Sequence, residues 1–409
     1  MVGGLVVSVT VRPMVEEDRA TGFRVYADSY GAGPETVASL AEASLDNRWV
    51  AEDAGEVVGI LRELPMQQAF GGRFVVSHGI GAVGVALHAR SRGVSRALMS
   101  GILRSMYERD VPLSLLYAST MAAYRPVGYE LAGGRVLYEL PLEHLPRSQP
   151  LPVEPWDDDD LGEVSDCLNR ICLTSNGMMG RLDYWWKQRV FNPLADDTYL
   201  YRYRVRQGDR TTGFLTYTTR FEARPDFPVQ WVPDEEECVA VVARDFFWET
   251  PEAARSLLAF VAAQRAVGTK LYWIGPPNDH LHGFVAEHLP RTASSYSWML
   301  RLVDVQRALE QRGFPGAVEA ELTMTVVDPV IDANNQSFAL RFAEGRCTAS
   351  RAEAAQLRIH VGALASVYSG WLSPADAVRN GGLTGASEDD VQTLTALFAG
   401  PVPWMNEFF

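Results

Sequence analysis

Hydrophobic positions along the chain fall into three stretches of different period. In the first, an apolar run from Phe74 to Val76 gives way to alternating Val83, Val85 and Leu87. Then Val94, Leu98, Ile102 and Met106 recur every four residues, with Ala97 and Leu103 beside them. Period 2 marks a strand face and period 3.6 a helix face. The pattern therefore predicts strand, turn, a long helix ending at Arg109-Asp110, and a strand from Leu113 to Ala118. Met1 to Val11 also alternates and predicts a first strand.

In the second stretch, Tyr199, Tyr201, Tyr203 and Val205 alternate, a Gln207-Gly208-Asp209 turn comes next, and a return strand passes Phe214. Cys238 to Ala243 predicts a buried strand. Thr250-Pro251 opens a helix with proline at its first position, carrying Ala254, Leu257, Leu258 and Val261 on one face. The third stretch begins with a predicted helix from Leu302 to Arg312. Val318, Ala320, Leu322, Met324 and Val326 then alternate with polar residues. Phe338, Leu340 and Phe342 repeat that pattern after an Asp332–Asn335 turn, and Leu357, Ile359 and Val361 predict a third strand. Ser373-Pro374 and Ser387-x-x-Asp390 are helix starts, the second close to a capping box. This makes an α/β protein with an α+β C-terminal block. Pro146, Pro150, Pro152 and Pro155 mark a stiff linker, and Asp157–Asp160 read as a solvated helix start, where negative charge suits the dipole.

Length adds a domain count: 409 residues suit two to three domains. The net charge of −14 argues against nucleic-acid binding, which needs phosphate-neutralising cations; it suits a cationic small molecule, although acidity alone more often just means solubility. The two lysines, Lys187 and Lys270, build no GK[ST] phosphate loop. Cys167, Cys172, Cys238 and Cys347 form no CxxC and read as reduced, partly buried thiols of a cytoplasmic protein. No HExxH exists, and His280 and His282, two apart beside Pro276-Pro277, make a weak metal pair, so no metal is expected. The N-terminus has no basic n-region, and no apolar run approaches the ~18 residues of a membrane helix.

Gly79-x-Gly81-x-x-Gly84 matches the dinucleotide fingerprint. That fingerprint needs a helix opening at its third glycine and an acid ending the next strand. Here Val83, Val85 and Leu87 continue a strand, and the next strand ends in Ser119. The turn instead falls at Arg90-Ser91-Arg92-Gly93-Val94-Ser95, directly before the long helix. Backbone N–H groups at a helix N-terminus beside arginines suit a pyrophosphate, although an arginine-rich surface turn reads the same way.

Val85-x4-Arg90-x2-Gly93-x-Ser95 and Tyr124-Arg125-Pro126-Val127-Gly128-Tyr129 together resemble the acetyl-CoA loop and the Y-x-x-x-G-[FY] element of the GNAT acyl-CoA N-acyltransferases. Two departures stand: Ser95 replaces the last Gly/Ala, and Ser91 takes a place where a basic residue is common. Three further features narrow the resemblance to the enhanced intracellular survival (Eis) family. They are the extended loop Arg90 to Met99, the segment Trp298 to Gly313, and the ending Glu407-Phe408-Phe409. The resemblance implies two tandem GNAT domains and a sterol-carrier-like α+β domain, over residues 1–145, 152–300 and 301–409. The second GNAT unit would have lost its cofactor loop, because Arg244-Asp245-Phe246-Phe247-Trp248 holds no glycine and no R-x-x-G.

The same resemblance implies acetyl transfer from acetyl-CoA to a primary amine, with aminoglycoside-like polyamines or lysine side chains as acceptors, in a cytoplasmic homohexamer. The alternatives are a longer acyl-CoA, or a non-catalytic lipid- or protein-binding scaffold. Tyr124 matches the family's general acid, against packing as an aromatic. The Phe409 carboxylate matches its proton acceptor, its basicity raised by burial among Trp404, Phe408 and its own ring, against simple packing. Val83, Gly84, Val85, Arg90, Ser91, Arg92, Gly93, Val94, Ser95, Arg96, Ser119 and Thr120 match the cofactor contacts. Glu407 reads as a hold for a second ammonium or as rim charge. Tyr30 and Trp49, placed in early helices, read as acceptor contacts or core.

Overall fold

A computed structural model describes residues 9–33, 43–191, 199–223, 237–266, 268–285 and 290–409. The chain forms two compact units that do not follow chain order. The first comprises residues 1–133, 297–401 and 408–409; the second comprises 134–296 and 402–407.

The first unit opens with β1 (Val9–Pro13), α1 (Arg19–Tyr30), β2 (Arg48–Asp53), β3 (Glu56–Phe70) and β4 (Arg73–Val85). β1 to β4 pair antiparallel in chain order. α2 (Val94–Glu108) comes next with the predicted boundaries, burying Val94, Leu98, Ile102 and Met106 against the sheet. β5 (Leu113–Leu116) pairs parallel with β4 and is buried along its whole length.

The second unit takes its sheet from the far half of β6 (Glu130–Pro141), the two-residue β7 (Glu154–Pro155), and β9 to β12; the two-residue β8 (Met179–Gly180) also lies in this unit. The sheet's last four are β9 (Tyr201–Gln207), β10 (Arg210–Ala223), β11 (Glu237–Trp248) and β12 (Gly268–Gly275). The acidic run starts a helix as expected: Asp157 and Asp160 form a capping box, then comes a 3-10 turn, and α3 (Leu161–Leu173) begins. α4 (Pro251–Ala262) begins where Thr250-Pro251 predicts and buries Ala254, Leu257, Leu258 and Val261. β11 runs five residues past the predicted strand, through Trp248, and the side chain of Cys238 lies outside the described residues. Cys167, Cys172 and Cys347 are buried free thiols, and burial pushes Cys167 and Cys347 up to about 12.

β13 (Arg291–Leu302) returns the chain to the first unit, where Met299, Leu300, Arg301 and Leu302 pair antiparallel with β5. The helix predicted over Leu302 to Arg312 is shorter, α5 (Val305–Gln311), because the strand continues to Leu302 and Asp304 caps Arg307 N–H. β14 (Ala320–Val327), β15 (Ser337–Ala343) and β16 (Arg346–Ala352) form a meander, and β17 (Arg358–His360) adds parallel to β14. The third predicted strand therefore stops early: His360 caps Gly362 N–H, and Val361 opens α6 (Val361–Ser369). α7 (Pro374–Arg379), the two-residue β18 (Leu383–Thr384) and α8 (Glu388–Leu397) complete the block, with the Ser387/Asp390 capping box formed. Among the described residues no helix is long and apolar enough to cross a membrane.

Candidate active site

β4 and β5 pair only at Ser77, His78 and Gly79; beyond Gly79 the two strands part. On its other side β4 stays paired with β3, but Ile60 faces Gly84 and Arg62 faces Gly81. Ala82 and Val83 thus share one partner position, a β-bulge with Ala82 at φ +53°. A bulge leaves backbone groups outside the ladder and re-aims the strand. The Tyr30 hydroxyl donates to Val83 O at 3.2 Å, and Ser29 Oγ approaches where a Cβ on Gly84 would stand, at 2.8 Å.

The open face of β4 carries the chain's last residue. A Cβ on Gly79 would fall 2.6 Å from the Phe409 ring, and one on Gly81 would lie 3.8 Å from the Phe409 carboxyl carbon. The Gly79 and Gly81 that imitate a dinucleotide fingerprint are therefore the floor on which the terminal carboxylate rests. Tyr117 packs beside it, 4.5 Å from the Phe408 ring and 5.7 Å from the Phe409 ring. The Phe408 side chain flanks Tyr117 and stays 51% exposed. Trp404 belongs to the second unit and packs against Phe247.

After β4 a 3-10 turn (Leu87–Ala89) leads into Arg90, and Ser91 (φ +61°) and Gly93 (φ +85°) turn left-handed before α2 begins. The space around Gly93 is open, so its backbone angle, rather than crowding, is what calls for glycine. A cavity of about 330 Å³ opens here, lined by Val85, Ala89 to Ser91 and Gly93 to Arg96 on one side and by Ala122, Ala123 and Pro126 on the other. Arg92 is turned away onto Asp53, at 2.8 Å. Ser119 and Thr120 are exposed and do not line it. Ala122, Ala123 and Pro126 escaped the sequence reading because small apolar side chains carry no chemical signal of their own.

Tyr124 comes after a 3-10 turn and is 7% exposed, its ring edge-on to Tyr129 at 6.1 Å. Burial, with a smaller contribution from Tyr30, pushes its hydroxyl up to about 12. Gly128 (φ +91°) ends this turn so closely over Arg301 that a Cβ would meet Nε at 2.7 Å. Arg301 Nε donates to Val127 O at 2.9 Å while its other end grips Asp328 at 2.6 Å, both side chains fully buried.

Two residues differ from expectation. Trp49 lies on strand β2, and its indole N–H donates to Glu63 at 3.0 Å. Glu63 is 1% exposed and also binds Arg109 and His78; burial would raise its carboxyl, but His78 and Arg109 hold it below the usual range. Glu407 is no rim charge. In the second unit it is 9% exposed, with Arg181 Nε at 2.6 Å and Trp185 Nε1 at 2.8 Å. His280 is exposed, and no metal-sized group of His, Cys, Asp and Glu occurs among the described residues.

Residues 10–132 match an acetyltransferase (GNAT) domain family, residues 177–302 match a second one, and residues 305–406 match a sterol carrier protein domain family. The chain is similar to the N-acetyltransferase Eis of Mycobacterium bovis, 26% identical over 98% of this chain and 99% of the relative. A crystal structure of a GCN5-related N-acetyltransferase from Anabaena variabilis superposes with a TM-score of 0.88 at 28% identity, covering 98% and 100% of the two chains. Eis1 from Mycobacterium abscessus shares the fold, with a TM-score of 0.77 at 21% identity over 98% and 100%. Fold and site thus define an acetyltransferase of two tandem GNAT domains followed by a sterol-carrier-like domain. Along its whole length the chain is similar to the Eis N-acetyltransferase, which shares this dual-GNAT architecture.

Proposed function

We propose that the first unit moves an acetyl group from acetyl-CoA to a primary amine. The observation that carries this reading is the Phe409 carboxyl group on the glycine floor of the bulged, parted strand β4. The Arg90–Arg96 turn at the start of α2 offers backbone N–H groups and the Arg90 and Arg96 cations to a pyrophosphate. Backbone amides of Val83, Gly84 and Val85 orient the pantetheine arm and polarise the thioester carbonyl. Arg92 acts at longer range through Asp53, and Ser119 and Thr120 meet the cofactor from the solvent side.

The bound cofactor supplies an acetyl thioester. The amine nitrogen attacks its carbonyl carbon, the C–S bond breaks, and the Tyr124 hydroxyl gives its proton to the leaving thiolate. The proton lost by the amine passes to the Phe409 carboxylate, directly or through water. A phenol held near 12 stays protonated across the neutral range, as a donor must. Tyr30 faces the acceptor; Trp49 and Glu407, already engaged, serve as supports. The acceptors are polyamines of the aminoglycoside kind or lysine side chains, drawn by a chain of net charge −14. The protein works as a cytoplasmic homohexamer, with domains over 1–145, 152–300 and 301–409.

Thiol release measured with a panel of amines and acyl-CoAs tests the reading. We expect turnover with acetyl-CoA and polyamines, loss in Tyr124→Phe, and a sixfold chain mass in light scattering. Faster release with long acyl-CoA would favour a lipid acyl donor, and no release with any pair would return the chain to a scaffold role.

A further inference from the structure

The second unit repeats the parted-strand geometry of the first. β11 and β12 pair parallel from Val239 to Val242, then separate. Just beyond, Thr216 faces Asp245 and Tyr217 faces Ala243, leaving Arg244 as the extra residue of a bulge. A cavity of about 160 Å³ fills the gap. Cavities near that size accept a single benzene ring. Its walls are aromatic: Phe246, Phe247 and Trp248 from β11, Trp273 from β12, and Trp404.

One carboxylate lines this cavity. Asp279 is 6% exposed, and no ion pair to it occurs among the described residues. Its Oδ2 accepts Trp273 Nε1–H and its Oδ1 accepts Leu281 N–H, both at 2.8 Å. A carboxylate has about four acceptor positions, so these bonds fix its direction and leave capacity for a ligand. Gly275 makes room for it: a Cβ there would stand 1.9 Å from Oδ2. Burial raises the Asp279 carboxyl, the cost of holding a charge here, while the nearby His282 and His280 act in the opposite direction.

Aromatic faces are attracted to cations, and a buried carboxylate hydrogen-bonded only to neutral N–H donors adds a second attraction. We infer that this cavity binds a small organic cation, an alkyl- or arylammonium, at a site separate from acetyl transfer. Aromatic walls alone would take a neutral ring equally well; Asp279 decides for the charged one.

Tryptophan fluorescence of the full chain, titrated with benzylammonium and with neutral benzyl alcohol, tests this. The two probes share a ring and differ in charge. We expect benzylammonium to bind at least ten-fold more tightly, Asp279→Asn to bring the two to parity, and Trp248→Ala to weaken both. Equal binding of the probes to the unaltered protein, or no binding of either at millimolar concentration, overturns the inference without needing any variant to fold. Preference for benzylammonium that survives Asp279→Asn would place the cation elsewhere and overturn it as well.

Discussion

The two GNAT units open their sheets in the same way and continue the chain differently. In the first, eight residues separate β4 from α2, and they include the left-handed Ser91 and Gly93. In the second, only Glu249 and Thr250 separate β11 from α4. Thr250 Oγ1 takes Ala253 N–H, and Pro251 has no N–H to offer. Of the amides that make a helix start attractive to phosphate, those of Ala253 and Ala254 are thus taken and that of Pro251 is missing. The faces of the two bulged strands differ too: glycines at 79 and 81 make a floor, whereas Phe246, Phe247 and Trp248 make walls. A parted strand pair is a scaffold; the loop after it and the side chains facing it decide the ligand.

The largest expected effect is on the glycine floor. Appending two residues to Phe409 displaces the carboxylate by several ångströms, and ~1 Å already costs ~10²-fold in a positioned reaction. We expect kcat to fall more than ~10²-fold with an unchanged melting temperature, read in steady-state assays at matched stability. Full activity would return the proton to water. Next, Tyr124→Phe should lower kcat by ~10²-fold while acetyl-CoA affinity holds, since only a hydroxyl is lost. The unaltered enzyme should keep its rate through pH 10 and lose it only as the hydroxyl ionises near 12, measured over the range where the fold survives.

The loops themselves come third. Calorimetry should find one CoA per chain. Arg96→Ala should weaken it by ~1.5–3 kcal/mol, and Arg92→Ala by less, because Arg92 already holds Asp53. Two CoA per chain would erase the distinction between the units. Smallest, Thr250→Ala should cost ~1 kcal/mol of stability in thermal melts and leave CoA binding alone.

Much of the fold was legible in the sequence. α2 showed its whole length, because Val94, Leu98, Ile102 and Met106 give an undiluted helical period between a glycine turn and Arg109-Asp110. The capping residues at Thr250, Ser373 and Ser387 also behaved locally. β16 was missed, since only Cys347 among its seven residues is buried and an edge strand of arginine, serine and threonine looks like loop. The end of β13 was misread because Leu302, Val305 and Leu309 fit a helix as well as a strand that turns into one. The glycine floor stayed hidden because its partner in space, Phe409, is more than three hundred residues away along the chain. The Glu407–Arg181 pair was hidden for the same reason, since local pattern carries no register between distant segments.

The pairing of β5 with β13 also sets a timetable. Leu116 is made roughly 180 residues before Met299, its partner. At synthesis rates of ~5–20 residues per second, β5 waits on the order of ten to forty seconds with that edge open. Its Leu113, Leu115 and Leu116 are all buried in the finished protein, so the nascent chain carries an apolar strand with one edge unpaired for that interval. The half of the enzyme that begins first on the ribosome is therefore completed late, and its yield in a cell depends on what shields that edge in the meantime.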